Sequence, residues 1–429
     1  MKQTEIADSH TGARAAIHPL LLLLICGGAF ALYWYTSFVV VERKISALFG
    51  ADTWFYTEFA KGDIFGRLAS DYHIDRVFRF HPVTVALAAG WMKITEPLTA
   101  WIAPLHLLRA MFALVGAAGV WIAITAFASV LPRAQALLWG LIYAFSLNIW
   151  YFSSIEESKI ISATLAVLYI AYYLRMRDRW TPRGALTLTA ILLVACLNEI
   201  VAAFIVAIPA VDTLLRRGFN FRELRWIFAH ALAAPTAYLL IELLTHLFTQ
   251  PTTPHPEGTN HLRTLIWYVQ QNSYNFAVIY AYLVRWIFFS IAAPVPNVYF
   301  ANPEFKYGGD FHPALLSYFY EPVSGAIAIL AIAIFIACFW RRAGSEVRAQ
   351  TSLLLSLAAY AIVRAIFFLL FIPKEYFLYG PSVTLTHLLL LAIPFSQSRI
   401  PGKVYILAVL ATLLLINNGM FWLTVKVHE

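Results

Sequence analysis

Side chains suited to acid–base chemistry gather in a long polar segment, residues 42–109, which follows the first apolar block, residues 19–41. The block is long enough to cross a bilayer. Asp52 therefore lies close to a membrane surface, where an acid costs more free energy to keep charged. A carboxylate in this position can accept a proton from a hydroxyl group. Asp52 is the candidate catalytic residue.

Asp75 and His81 lie further along the same segment and are candidate substrate-binding residues. Aromatic residues are interleaved with them, a composition typical of helices that lie on a membrane with polar groups facing a cavity. Asp71, Asp75 and Arg79 also recur at i, i+4 and i+8, on one helical face. A solvated, salt-bridged stripe has the same spacing, so both interpretations stay open.

Acidic residues also occur at two turns between apolar blocks. Glu156 and Glu157 lie in the turn SSIEES and are candidates for binding substrate. Alternatively, they stabilise the N-terminus of the next helix, with the serines as caps. Glu199 follows Asn198 inside an apolar run, where a charged residue is costly and usually functional.

Positive charge collects near the end of a late apolar block. Arg364 lies inside this block, and Lys374 and Tyr376 follow it in the sequence PKEYFLYG. A buried arginine needs an anion as its partner. Glu375 is one available anion and the phosphate of a bound lipid is the other. Arg364, Lys374 and Tyr376 are therefore candidate substrate-binding residues.

Composition places the chain among membrane proteins. Hydrophobic residues make up 61% of it and charged residues 13%, and the mean hydropathy is +0.70, which excludes an ordinary soluble domain. The net charge of +8 does not indicate nucleic-acid binding, because the arginines cluster in short loops between apolar blocks. Cys26, Cys196 and Cys338 lie inside such blocks and are expected to be small buried hydrophobes.

The distribution of lysine and arginine predicts the topology, because short cytoplasmic loops are rich in both residues. The basic loops assigned to the cytoplasm are residues 175–183, 216–225, 341–348 and 399–403. The predicted fold is a single all-α polytopic membrane domain, residues 1–429, with about eleven transmembrane helices. Its first external loop, residues 42–109, contains amphipathic surface helices.

Two regions complicate this topology. Residues 184–214 have basic charge at both ends, so they are predicted to form two short segments that meet at an outer turn near Asn198-Glu199. Residues 249–321 form a second external region that contains the apolar stretch 275–293. If that stretch spanned the membrane, the basic loop 341–348 would lie outside, so we predict a re-entrant or surface helix there.

The layout and three short motifs resemble the GT-C superfamily of integral-membrane glycosyltransferases. The motifs are HPVTVALAAGWM from His81, SSIEES from Ser153 and PKEYFLYG from Pro373. They are most similar to an uncharacterised bacterial branch of the superfamily, which also includes protein O-mannosyltransferases and the aminoarabinose transferase acting on lipid A.

The resemblance implies inverting transfer of a sugar from a polyprenyl-phosphate donor to a hydroxyl of a lipid, glycan or protein, on the periplasmic side of a bacterial inner membrane. Asp52 would be the base, Glu156 or Glu157 would bind sugar or acceptor hydroxyls, and a cluster of positive and hydroxyl groups near residue 364 would bind the phosphate. The expected partners are this donor, its acceptor and membrane lipids, with no nucleic acid. A divalent metal ion is a candidate cofactor, although Asp52 is followed by Thr53 rather than by a second acid.

A different function stays open, a transporter or flippase for an anionic or lipid-linked substrate. Glu199, Glu242 and Arg364 would then line a path through the membrane. The long first external loop favours the enzyme. An external cavity would favour a transferase, and a polar path across the midplane would favour a transporter.

The predicted topology can be tested by cysteine labelling. Asn302→Cys should react with a membrane-impermeant thiol reagent from outside, whereas Gly344→Cys should react only after permeabilisation, because loop 341–348 is basic. The parent protein supplies the background labelling. Labelled Gly344→Cys together with protected Asn302→Cys would show that residues 275–293 span the membrane.

Overall fold

The structure is a computed structural model that describes most of the chain. The described residues are 17–42, 53–178, 180–219, 221–248, 269–270, 274–293, 299–300, 322–339, 345–371, 376–424 and 426–427.

Helices dominate the described residues. In chain order the α-helices are α1 (Pro19–Glu42), α2 (Thr53–Tyr56), α3 (Ile64–Arg67), α4 (Tyr72–Phe80), α5 (Pro82–Thr95), α6 (Pro104–Val130), α7 (Arg133–Phe145), α8 (Leu147–Ser154), α9 (Lys159–Met176), α10 (Pro182–Asn198), α11 (Ala207–Arg217), α12 (Phe221–Ala231), α13 (Ala233–Phe248), α14 (Phe276–Val284), α15 (Pro322–Phe339), α16 (Ser345–Phe371), α17 (Tyr376–Tyr379), α18 (Pro381–Gln397) and α19 (Lys403–Thr424). The 3₁₀ segments are Thr57–Lys61, Glu96–Ala100 and Ile200–Val206, and Arg285–Phe289 is a π-helical turn. The strands β1 (Tyr299–Phe300) and β2 (Lys426–Val427) pair in parallel.

Within the described part of the chain, six helices are long and apolar enough to cross a bilayer. A seventh span results if α7 and α8, bent by 57° relative to each other, count as one. The predicted class, an all-α membrane protein, is confirmed. The predicted count of about eleven spans is not confirmed, because some of the predicted spans are shorter than the ~20 residues of a typical membrane helix. Helices α10 and α18, for example, have 17 residues each.

Helix α6 lies at the centre of the bundle and packs against α1, α7, α8 and α9. Glycines make two of these contacts close. A Cβ atom on Gly116 would collide with the side chain of Ser153 in α8, and one on Gly140 in α7 would collide with Ile124 in α6. Small residues allow such close approach of helices that lie in lipid.

The two ends of α9 define the two ends of the bundle. Arg216, at the end of α11, donates to the carbonyl of Arg177 over 3.1 Å, whereas Glu199, just after α10, lies beside Lys159. The chain therefore runs from the Arg177 end to the Lys159 end along α10 and returns to the Arg177 end along α11. The predicted reversal at Asn198-Glu199 is present.

The apolar stretch 275–293 enters and leaves the bundle at the Lys159 end. The Tyr274 hydroxyl donates to the carbonyl of Leu370 near the end of α16. Tyr282, 1% exposed, donates to the carbonyl of Ala365, deeper in the same helix. Beyond the stretch, β1 pairs with β2, which follows the end of α19. The described ends of this stretch therefore lie at the same end of the bundle, and the re-entrant or surface helix on the external side stays a prediction.

Asparagine side chains connect the apolar stretch 275–293 to the break between α7 and α8. Asn418 in α19 accepts from the N–H of Ala293 and donates to the carbonyls of Phe145 and Ile291, with distances of 2.7–2.9 Å. Asn417 donates to the carbonyl of Ala293 over 3.0 Å. Irregular backbone is tolerated at membrane depth only where such partners satisfy it.

Helices α2 to α5 of the first loop pack at the Lys159 end. Asp71 caps α4, because its carboxylate accepts from the N–H groups of His73 and Ile74, and Pro82 occupies the first turn of α5, where no N–H is needed. Tyr56 stacks edge-on against Phe112 of α6. The predicted helices of this loop are therefore present and contact the bundle.

A buried carboxylate joins three helices at the Arg177 end. Asp212 in α11 is 0% exposed and accepts two hydrogen bonds from Arg177, at 2.6 and 2.8 Å, and one from the Tyr173 hydroxyl at 2.6 Å. Arg177 also donates to Ser352 of α16 over 2.9 Å. The carboxylate thus fixes α11 and α16 to the end of α9.

Asp212→Asn should destabilise the protein by an amount on the order of 3 kcal/mol, because it leaves Arg177 without its charged partner in a nearly dry site. Thermal unfolding in detergent measures the loss. Asp178→Asn is the matched control, since that side chain is 77% exposed and pairs with Arg216 at the same end. Equal losses in the two variants would contradict a special role for Asp212.

Candidate functional site

The predicted site residues fall into two groups. Asp52 and Lys374 lie outside the described residues, and for Tyr376 only the backbone, the first residue of α17, is described. The predictions for these three residues therefore stay predictions. The remaining candidates are described, and all of them lie at the Lys159 end.

Glu156 forms a buried ion pair with Arg109 near the start of α6. The carboxylate accepts from both Nε and Nη2 of Arg109, the second over 2.8 Å, and the two side chains are 1% and 3% exposed. Because both oxygens of Glu156 are bound by one guanidinium, its immediate role is to fix the α8–α9 turn to α6. Arg109 was not among the predicted site residues, although an arginine at the edge of an apolar block is a signal that the sequence shows.

Glu157 lies at the N-terminus of α9. Its Oε1 accepts from the N–H of Ser158 over 2.9 Å and from the hydroxyl of the same residue over 3.0 Å. An acid near the start of the next helix agrees with the alternative interpretation of the turn, whereas the serine caps that it included are absent, because the Ser158 side chain makes no capping hydrogen bond to α9. Glu157 is 2% exposed.

Three charged groups meet at the reversal after α10, and we call them the Lys159 cluster: Lys159, Glu199 and Arg364. Lys159 Nζ lies 3.8 Å from Glu199 Oε1 and 4.4 Å from the ring centre of Tyr379. All three side chains are less than a tenth exposed. Two cations share one carboxylate, so the cluster carries a surplus positive charge.

Protein groups surround Arg364 on several sides. Its Nη1 donates to the carbonyl of Val201 over 3.1 Å, its Nη2 donates to the Ser382 hydroxyl, and its guanidinium lies 4.7 Å from the ring centre of Phe368. The Val201 carbonyl is available because the chain leaves helical geometry at Glu199. Glu375, one of the two predicted anions, lies outside the described residues.

His81 connects the first loop to the reversal after α10. Its Nδ1 hydrogen-bonds to the carbonyl of Asn198, the last residue of α10. The Asn198 side chain accepts from Thr84 over 2.7 Å and donates to Ser162 of α9 over 2.9 Å. Because a carbonyl can only accept, the neutral imidazole carries its proton on Nδ1. The structure thus places His81 next to the Lys159 cluster.

Asp75 shows the salt-bridged arrangement that its spacing allowed. Both of its oxygens accept from Arg79 Nε, at 3.0 and 2.9 Å. Asp71 also forms an ion pair, with Arg67 four residues before it. Burial opposes ionisation of Asp71, but the hydrogen bonds from Arg67 and from the N–H groups of His73 and Ile74, together with the charge of Arg67, outweigh it and lower the pKa of this carboxyl below its ordinary value. Asp71 and Asp75 are thus engaged in stabilising the loop helices.

Within the described residues, histidine, cysteine, aspartate and glutamate form no group of three or more that could hold a metal ion. The question of a divalent cofactor stays open, because Asp52 lies outside these residues.

The geometry and the sequence together define the class of the chain, which is an all-α membrane protein. Comparison with models of known protein families finds no match, and comparison with curated proteins finds no similar sequence. The resemblance to GT-C glycosyltransferases therefore depends on the layout and motifs described above.

His81 makes stability depend on pH. The burial of the imidazole, together with the charge on Lys159, lowers the pKa of His81 from 6.5 to about 4. The folded protein keeps this group neutral down to about pH 4, whereas the unfolded chain binds a proton below about pH 6.5. Protonation therefore favours the unfolded chain between these values and has no effect above them.

We expect the wild type to lose up to about 2 kcal/mol more stability than His81→Asn on moving from pH 7.5 to pH 5. Asparagine keeps an N–H donor for the Asn198 carbonyl but does not titrate. Thermal unfolding at the two pH values measures the difference. Parallel losses in the two proteins would show that His81 titrates normally.

Proposed function

We propose that the chain is an inverting glycosyltransferase, which moves a sugar from a polyprenyl-phosphate donor to an acceptor hydroxyl of a lipid, glycan or protein. The proposed location is the bacterial inner membrane, with the site on the periplasmic side. The observation that carries this proposal is the gathering of buried acids and bases under the first-loop helices at one end of the bundle.

The Lys159 end supplies three features that such a reaction needs. Its charged groups come from α9, the segment after α10, and α16, so the bundle holds them in fixed positions. His81 of the first loop is hydrogen-bonded into the same region, which links the loop carrying Asp52 to these groups. The surplus positive charge of the Lys159 cluster favours an anion nearby, as a phosphate leaving group requires.

In the proposed reaction the acceptor oxygen attacks the anomeric carbon of the sugar. The bond from that carbon to the phosphate oxygen breaks, and polyprenyl phosphate leaves with the bonding electrons. Asp52 takes the proton of the acceptor hydroxyl. Lys159 and Arg364, whose side chains are nearly buried, would favour the leaving phosphate through their field, and Lys374 and Tyr376 would contact it directly. Glu157 is the remaining candidate for binding a sugar hydroxyl, because Glu156 is paired with Arg109.

Asp52→Asn should lower the rate of sugar transfer by a factor on the order of 10² to 10⁴, typical of the loss of a general base, and leave membrane insertion intact. The measurement is transfer from a panel of polyprenyl-phosphate sugars in proteoliposomes. Asp178→Asn, at the opposite end of the bundle, is the control and should retain the wild-type rate. Wild-type turnover in Asp52→Asn would remove Asp52 from the mechanism, and absence of transfer from every donor in the wild type would contradict the proposed function.

The second candidate function is a transporter or flippase for an anionic or lipid-linked substrate. Two interrupted helices favour it, the bent pair α7–α8 and the break between α10 and the 3₁₀ segment at Glu199, because transporters build substrate sites from broken helices. Movement of labelled lipid-linked sugar across proteoliposome membranes, without transfer to an acceptor, would support this function over the enzyme.

A further inference from the structure

A small internal cavity adjoins the Lys159 cluster, because Glu199 and Arg364 of that cluster line part of its wall. Helix α9 lines one side of it with Ser162, Ala166 and Tyr169, and Glu199, Tyr360 and Arg364 line the other sides. The space available is that of about one water molecule. It is therefore too small for a sugar or a lipid headgroup.

Three of the residues that line this cavity each carry a buried polar atom with no hydrogen-bond partner in the structure. These atoms are the hydroxyl of Tyr169, Oε1 of Glu199 and Nε of Arg364. The distance of 3.8 Å from Glu199 Oε1 to Lys159 Nζ is too long for a hydrogen bond. A buried polar atom without a partner is unfavourable, so three such atoms on residues that line one cavity favour a shared partner.

The ability of each of these atoms to donate or accept a hydrogen bond determines which partner can bind. Arg364 Nε–H and the Tyr169 hydroxyl can donate, whereas the Glu199 carboxylate oxygen can only accept. A chloride ion would satisfy the donors but be repelled by the carboxylate, and a sodium ion would be repelled by the guanidinium. A water molecule accepts two hydrogen bonds and donates two, so it can serve all three atoms at once.

We propose that this cavity is a binding site for one resident water molecule. The water accepts from Arg364 and Tyr169 and donates to Glu199, and the neighbouring Ser162 or Ser382 offers a further acceptor. It joins α9, the chain reversal after α10, and α16 by hydrogen bonds at a depth where lipid supplies none. Tyr169 is then a positioning residue, which orients the Glu199 carboxylate through the water. This inference is independent of the proposed glycosyl transfer.

X-ray radiolytic footprinting tests for the water, because a bound water yields hydroxyl radicals that modify the side chains beside it. We expect Tyr169 to be modified several-fold faster than Tyr33. Tyr33 is an internal control, since it is 0% exposed and its hydroxyl donates to the Ala144 carbonyl over 2.8 Å. Equal, slow modification of Tyr169 and Tyr33 would overturn the proposal.

A second test fills the cavity. Ala166→Val adds two carbon atoms to the wall of a cavity that holds about one water molecule, so the larger side chain excludes the water. The modification of Tyr169 should then drop to the level of Tyr33. Tyr169 modified as fast in Ala166→Val as in the wild type would contradict the resident water.

Discussion

The cost of burying charge in a membrane protein governs the arrangement at the Lys159 end. Lys159, Glu199 and Arg364 are each less than a tenth exposed, and an isolated charge in such surroundings would be strongly unfavourable. These charges are retained because they lie beside one another, because the Val201 carbonyl after α10 accepts from Arg364, and because a hydroxyl group and two aromatic rings complete the contacts. The position of the helices around this end follows from these partnerships.

Breaks in the helices and polar side chains occur together throughout the bundle. The bend between α7 and α8 is matched by Asn418 and the stretch 275–293, and the reversal after α10 is matched by His81 at the Asn198 carbonyl and by Arg364 at the Val201 carbonyl. In each place, backbone groups released from a helix find partners on another element. An irregular segment can therefore lie deep in the protein, where it brings polar groups to the interior.

The first loop and the bundle form one unit through these contacts. His81 hydrogen-bonds to the last carbonyl of α10, and the same asparagine donates to Ser162 of α9. The start of α5 is therefore fixed to the residues beside Glu199. For the proposed enzyme, this link would tie the segment that carries the base to the charged groups that favour the leaving phosphate.

Local patterns in the sequence were sufficient for the class and for the reversal at Asn198-Glu199, because hydrophobic length and the position of arginines depend on the chain alone. The number of spans was not determined in this way, since short and broken helices lack the length of a standard span. The partners of charged residues were decided only by tertiary structure. Arg109 binds Glu156 across 47 residues and Arg364 binds the Val201 carbonyl across 163. Sequence shows that a buried charge needs a partner, but the packing of distant helices selects which group lies within reach.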